Sequence, residues 1–239
     1  MALAAGACLL SGDKFYGHLL GREAFSNDAL WPYPIVDPIA KACILVASSG
    51  RRFTNEGCGG VHMANVVARL DNPLDATVIF DEAIWQGIAA DTGYPPCMNP
   101  AFTDTGGTVY TAYTLDKLAK SIGIDAGPLQ ATVSEHNSMV ASGTGCHPVR
   151  TRRKHAPHAI TTPPFRAIKV CAGITYTLGG IAIDRDSRVI DQVQAPIPGL
   201  YAIGSATGGI KGGAQALYLG GLAKAVITGL RAAEHIAGL

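Results

Sequence analysis

One stretch near the C-terminal end constrains this chain more than any other: Gly199–Ala225, GLYAIGSATGGIKGGAQALYLGGLAKA. Leu200–Ile203 is a short apolar run and reads as a buried strand. Seven glycines fall between Gly204 and Gly221, and beyond them Leu222–Ile236 keeps its apolar residues at helical spacing. Glycines remove side chains, so bare backbone can approach a flat or anionic ligand. A helix starting at Gly220–Gly221 would turn unpaired N–H groups and the positive end of its dipole toward that ligand. A glycine-rich surface loop would show the same count. The order strand, glycines, helix favours a ligand site.

Four further blocks precede this stretch: GRRFTNEG (Gly50–Gly57), TVIFDEA (Thr77–Ala83), PPFRAIKV (Pro163–Val170) and YTLGGIAID (Tyr176–Asp184). With Gly199–Gly209 and Leu219–Gly221, the five blocks resemble, in the same order, the FAD-dependent fumarate reductase, flavocytochrome and ketosteroid dehydrogenase family. The resemblance covers nearly the whole chain. It implies FAD as the cofactor, held by Glu56, Gly179, Gly180, Gly204, Ser205, Gly208, Gly209, Leu219, Gly220 and Gly221. In that family the ADP part of FAD rests on a G-x-G-x-x-G turn in a long N-terminal half. No such fingerprint opens a βαβ unit in these 239 residues. Met1–Leu10 is alanine-rich, lacks an N-cap and reads as a helix begun before the chain does. The expected fold class is α+β: a substrate-capping domain (18–159) joined to the incomplete C-terminal part of an α/β FAD-binding domain (1–17 and 160–239).

The resemblance also assigns the substrate side. His18 stands where fumarate reductases place a histidine that binds a substrate carboxylate; the alternative is a histidine packed at a domain junction. Glu56 aligns with a glutamate of the fumarate reductase proton relay, but the arginine that relay needs is missing from Gly57–Val61. The reading favoured for Glu56 is an ion pair with Arg51 or Arg52 beside the flavin. Trp85 occupies the position of the proton-donating arginine, and an indole N–H is far too weak an acid for that task. Tyr176 replaces a substrate-binding histidine and Tyr218 the arginine of the carboxylate clamp. Tyrosine cannot imitate a bidentate guanidinium, but it can donate to a carbonyl oxygen or act as acid and base. At each position a core tyrosine with a satisfied hydroxyl is the alternative. The pair suggests a neutral, carbonyl-bearing, partly apolar substrate, not fumarate.

Composition narrows the classes. The formal net charge is +1, which gives no electrostatic footprint for nucleic acid. Apolar runs are too short to span a bilayer, and Leu222–Ile236 is interrupted by Lys224 and Arg231. MALAAGACLL has no basic leader and does not read as a signal peptide. Six cysteines without a C-x-x-C pair read as free thiols of a cytoplasmic protein, not as a disulfide frame or a metal site.

Local patterns give the remaining elements. Phe15–Tyr33 is aromatic and irregular. Strands are expected at Ala42–Ser48, Arg51–Thr54, Thr77–Asp81, Arg166–Ala172 and Ile174–Leu178, with a hairpin pairing Ile181–Asp184 and Val189–Asp191. Glu82–Ala90 turns helical, and Asp91–Gly107 reads as a loop. Thr114–Ser121 is a helix stopped by Gly123. Asp125 caps a longer helix carrying Pro128 in its first turn, Leu129, Val133 and Val140 inward, and His136 at the surface or half-buried. Five basic residues between Cys146 and His158 read as a solvated edge or an anion or partner site.

Two functions of different class follow. The first is an FAD-dependent oxidoreductase, or a piece of one, moving hydride between flavin and an unsaturated carbonyl compound, with Tyr176 and Tyr218 polarising it and His18 orienting it. The second is a non-catalytic binding or scaffold protein left after loss of the nucleotide half. A fragment or shortened gene product is a further reading, compatible with the first. In either case apolar surface should be exposed where the other half would lie, so a second chain or self-association is expected.

Overall fold

A computed structural model describes residues 1–93, 95–143, 157–212 and 218–239. The chain divides into two compact units, Met1–Tyr16 with Ile174–Leu239 and Gly17–Gly173. In chain order the strands are β1 (Leu9–Leu10), β2 (Phe15–Gly21), β3 (Ile44–Val46), β4 (Ala76–Asp81), β5 (Tyr110–Ala112), β6 (Phe165–Thr177), β7 (Gly180–Ile181), β8 (Arg188–Ile190) and β9 (Pro196–Tyr201). The helices are α1 (Asp37–Ala42), α2 (Gly60–Val67), α3 (Glu82–Gln86), α4 (Met98–Asp104), α5 (Leu115–Ile122), α6 (Ala126–Ala141) and α7 (Gly221–Ala237). The fold is mixed α+β. The chain passes between its units twice, once within β2 and once within β6.

The larger unit is built on a sheet of order β2-β6-β4-β3, with β5 also paired to β6. The run ATVIFD makes β4 buried at all six positions, as a strand flanked on both edges and covered on both faces must be. It pairs antiparallel with β3, Leu45 opposite Val78, and with β6, Val78 opposite Ile168. Asp81 ends the strand and caps the next helix: its carboxylate accepts the Ile84 N–H at 3.2 Å and the Thr161 and Thr162 N–H groups at 2.9 Å each. Trp85 is a core residue, 6 % exposed, with its ring 6.0 Å from that of Phe80.

Several elements differ from the sequence expectation, each for a local reason. Met1–Leu10 holds only a one-turn 3-10 helix, Leu3–Ala5, which ends at Gly6 in the left-handed region (φ 91°), and then the extended β1. The expected loop over 91–107 contains α4, kinked at Asn99; the Phe102 ring fills the space that Cβ atoms at Gly21 and Gly107 would take, 2.4 and 2.5 Å away. α1 precedes β3, with proline in its first turn. Arg51–Thr54 makes only a single bridge, Val46 to Arg52. β6 runs unbroken through Gly173, where a Cβ would meet Leu20 and Trp31 at 2.6 Å, so this glycine serves close packing and not a break. His136 is fully buried, its Nε2 2.7 Å from the carbonyl oxygen of His158. α6 keeps its expected cap, Asp125, and Thr114, expected as the first residue of α5, is instead its N-cap. The basic run after Cys146 lies outside the described residues up to position 156.

In the smaller unit β1 pairs with β7 and β8 with β9, both antiparallel. β9 begins at Pro196, earlier than the apolar run suggested; in a two-stranded sheet each strand keeps an open edge on which proline costs no ladder bond. The expected partner of Val189 is reduced to one bridge, to Ile183. α7 starts after Gly220 (φ 89°), as the glycine pattern indicated. Among the described residues no helix is long and apolar enough to cross a membrane, and no cluster of His, Cys, Asp and Glu could hold a metal. Cys8, Cys43, Cys58, Cys97 and Cys171 are free thiols.

Candidate functional site

The smaller unit gathers three tyrosines and two lysines. Tyr176 leaves β6 one residue before its end, and Tyr218 stands two residues before the cap of α7. Their rings meet edge to face, centroids 5.4 Å apart at 64°. Tyr16 stacks on the other side of Tyr218 at 4.5 Å. Lys211 lies across this group: its ammonium is 4.0 Å from the Tyr218 ring centroid and 4.4 Å from that of Tyr176. Lys211 is only 3 % exposed, and its Nζ has no hydrogen-bond acceptor among the described residues. The Tyr176 hydroxyl is likewise buried, beside Ser205 and Lys211.

Lys224, on the first turn of α7, is 6 % exposed and donates to the Thr207 carbonyl. Burial holds its amine below the ordinary range, the neighbouring Lys211 charge adds to this, and Tyr176 opposes it. For Tyr176, burial would raise the phenol. Ser205, Lys224 and Lys211 act on it more strongly together and hold it below its ordinary value. A phenol shifted toward neutrality beside two cations is a better acid than tyrosine in water. Thr228 fixes the underside: its hydroxyl accepts the Gly204 N–H at 2.9 Å and donates to the Lys224 carbonyl at 2.7 Å, while Ser187 donates to the Thr228 carbonyl at 2.8 Å.

The glycines do two different jobs. At Gly179 an added Cβ would lie 2.6 Å from the Gly12 Cα; at Gly180, 2.5 Å from the Ala206 oxygen; at Gly208, 2.6 Å from the Gly180 oxygen. These three let protein backbone cross protein backbone, so the space freed there is already taken by the chain itself. Gly209 is similarly close to the Leu10 side chain, at 2.9 Å, and Gly204 to Ala225, at 3.3 Å. Gly220 faces open space, and at Gly221 a Cβ would sit 3.2 Å from the Tyr218 hydroxyl. Among the described glycines from Gly204 to Gly221, the open backbone lies at Gly220, next to the exposed Leu219, while Gly212 meets only the Ser11 side chain, at 3.8 Å.

The other sequence candidates belong to the larger unit. His18 donates through Nδ1–H to the Asp37 carboxylate at 2.7 Å, and the second oxygen of that carboxylate accepts the Leu19 N–H at 2.8 Å. The Asp37 carboxylate occupies the place of a Gly60 side chain, whose Cβ would overlap it. Glu56 is 1 % exposed; it pairs with Arg52 through both oxygens and also accepts the Leu45 N–H at 2.9 Å. Its carboxylate is committed inward, in the structural role favoured from sequence. A cavity of about 660 Å³ lies beside this pair, lined by Arg51, Arg52, Thr54, Asn55, His62 and Glu135 among others. Burial and the charge of Arg69 hold His62 below the ordinary imidazole range.

Tyr176 and Tyr218 are thus brought together; His18 and Glu56 each have separate partners. Sequence reasoning missed Lys211, Lys224, Tyr16 and Asp37. One signal was available: Lys211 is the only charged residue between Gly204 and Gly221.

Comparison with known proteins agrees with this architecture. A family model described as an FAD binding domain matches residues 38–221. The chain is 32 % identical over 169 residues to a probable fumarate reductase, Ifc3, of Shewanella frigidimarina, covering 71 % of this chain and 26 % of that protein. It is 30 % identical over 214 residues to a 4-oxocyclohex-2-ene-1-carboxylate 5-dehydrogenase of Sinomonas cyclohexanicum, covering 82 % and 36 %. Among solved structures, 3-ketosteroid delta1-dehydrogenase from Sterolibacterium denitrificans is similar with a TM-score of 0.67 and 26 % identity, over 99 % of this chain and 45 % of that one. The chain thus spans about a quarter to a third of the length of these two sequence relatives.

Proposed function

Because this chain belongs to the FAD binding domain family, we propose that it forms the substrate-facing part of an FAD-dependent oxidoreductase acting on an unsaturated carbonyl compound other than fumarate. In this reading residues 17–173 cap the substrate and the smaller unit faces the flavin ring. The observation that carries it is the pair of touching phenols, Tyr176 and Tyr218, with the buried Lys211 ammonium over both. Hydroxyl donors at those positions suit a carbonyl oxygen, whereas a dicarboxylate calls for bidentate guanidinium groups.

The donor set suits the ring end of the cofactor. A buried ammonium that pairs with no carboxylate among the described residues and a seventeen-residue helix beginning at an open glycine both favour an anionic edge. Gly220, Gly221, Leu219 and Ser205 would hold that edge; Gly179, Gly180, Gly204, Gly208 and Gly209 shape the backbone beneath them. No residues of this sequence form the glycine turn that a pyrophosphate requires. When bound, FAD supplies hydride acceptance or donation. The chain's own residues polarise the substrate: Tyr176 and Tyr218 donate to its oxygen, and the depressed Tyr176 phenol can carry a proton to or from it. His18, held by Asp37, belongs to the larger unit.

The test is an absorption spectrum. Purified chain supplied with the nucleotide-binding half of a relative is expected to turn yellow with FAD and to bleach on adding a saturated cyclic ketone. Folded protein that stays colourless under these conditions would leave the non-catalytic binding protein as the better reading, which the filled glycine spaces at Gly179, Gly180 and Gly208 also favour.

A further inference from the structure

The cavity of about 660 Å³ in the larger unit has three walls, each set by local structure. One is the segment Arg51–Asn55, which follows the turn at Gly50 (φ 71°). The Thr132 hydroxyl donates to the Gly50 carbonyl at 2.8 Å and fastens that turn to α6. Glu135 follows Thr132 by three residues and so lines the cavity from the same face of that helix. His62 and Val66, four residues apart on α2, make the third wall. The Thr54 hydroxyl and His62 Nε2 lie 3.2 Å apart and join the first wall to the third. The volume falls within the range of about 300–1,000 Å³ usual for small-molecule sites.

The charges around this cavity reduce to one of each sign. Arg52 is committed to Glu56. His62 is held toward its neutral form by burial and by the Arg69 charge. Arg51 and Glu135 remain, and among the described residues neither side chain has a hydrogen-bond or ion-pair partner. Both residues are exposed, so each is hydrated and neither needs a counter-ion for folding. Asn55 Oδ1 accepts the Gly57 N–H at 3.0 Å, which leaves its amide NH2 as a second donor on the Arg51 wall. Phe53 and Val66 supply apolar surface. A simple anion would be drawn to Arg51 and repelled by Glu135, and a simple cation the reverse. A molecule that carries both charges answers both groups. We propose that this cavity binds an amino acid with an apolar side chain, its carboxylate on Arg51 and Asn55, its ammonium on Glu135 and its side chain against Phe53 and Val66. The site belongs entirely to residues 17–173, whereas Tyr176, Lys211 and Tyr218 lie outside them, so the proposal does not depend on the flavin reading.

The probe is L-phenylalanine, measured by equilibrium dialysis against the full chain at neutral pH and low salt. Saturable binding is expected, with phenylacetate and phenethylamine each at least roughly tenfold weaker, the loss of one charge-assisted contact. Glu135→Gln should make phenylalanine no better a ligand than phenylacetate. Arg51→Gln should make it no better than phenethylamine. Both positions are exposed, so both variants are expected to melt like the unaltered chain. The proposal is overturned if phenylacetate or inorganic phosphate binds as tightly as phenylalanine, which would make this a plain anion site. It is equally overturned if phenethylamine does so, or if phenylalanine fails to bind at millimolar concentration. Binding that both variants retain in full would place the ligand elsewhere and also overturn it. A negative result with a yellow, bleaching protein in the spectral test would remove the amino-acid site and leave the oxidoreductase.

Discussion

At the scale of single residues, the chain spends its buried charge in two ways. Glu56 and Arg52 satisfy each other, and the Leu45 N–H takes up more of the carboxylate, so this pair ties the GRRFTNEG block to β3. Removing one member of such a pair strands the other away from water. Glu56→Gln is therefore expected to destabilise the chain by about 3 kcal/mol in urea unfolding, and adding Arg52→Met to it should recover most of the loss. A single substitution within experimental error of the unaltered chain would show that water reaches Arg52. Lys211 is the opposite case, a buried cation set against the Tyr176 and Tyr218 rings with no carboxylate partner among the described residues. Glu56 could be read from sequence because its partner is four residues away. Lys211 could not, because the Tyr176 ring beneath it comes from a strand thirty-five residues earlier in the chain.

At the scale of elements, the sequence was readable wherever an element carries its own punctuation. α5 has Thr114 before it and Gly123 after it, the latter in the left-handed conformation with φ 77°. The Thr114 hydroxyl accepts the Lys117 N–H at 3.3 Å. Thr114→Ala should cost about 1 kcal/mol and loosen the first turn of α5, seen as faster amide exchange at Lys117 with the later turns unchanged. Equal exchange in both proteins would mean that packing of Leu118 and Ile122, both buried, holds the turn by itself. β4 was also evident, as an apolar run too short for a helix. α4 was not, because its prolines and glycines signal a loop; what fixes it is Phe102 lodged between Gly21 and Gly107, a tertiary contact with no local trace. The glycines of the final stretch are credited from sequence with one role, whereas Gly208, like Gly179 and Gly180 upstream, serves a backbone crossing instead.

At the scale of the whole molecule, α7 is the exposed element. Leu222, Val226 and Leu230 fall at successive i+4 steps and are 81, 60 and 56 % exposed, with Ile227 beside them at 61 %. A helix with such a stripe is normally covered. The chain's share of its relatives' length accords with covering by further protein, and alone it should self-associate. Gel filtration is expected to show species larger than the monomer, converted to monomer by Val226→Lys with Leu230→Glu. A monomer at high concentration without those changes would contradict the expectation.

The two crossings between units have a consequence of their own. β2 carries the chain into residues 17–173, β6 carries it out, and these strands are neighbours in one sheet. A module whose two ends emerge side by side can be exchanged for another of different size without rerouting what surrounds it. Recombination could thus exchange residues 17–173 for another module while Lys211, Tyr176 and Tyr218, all coded outside them, are inherited intact.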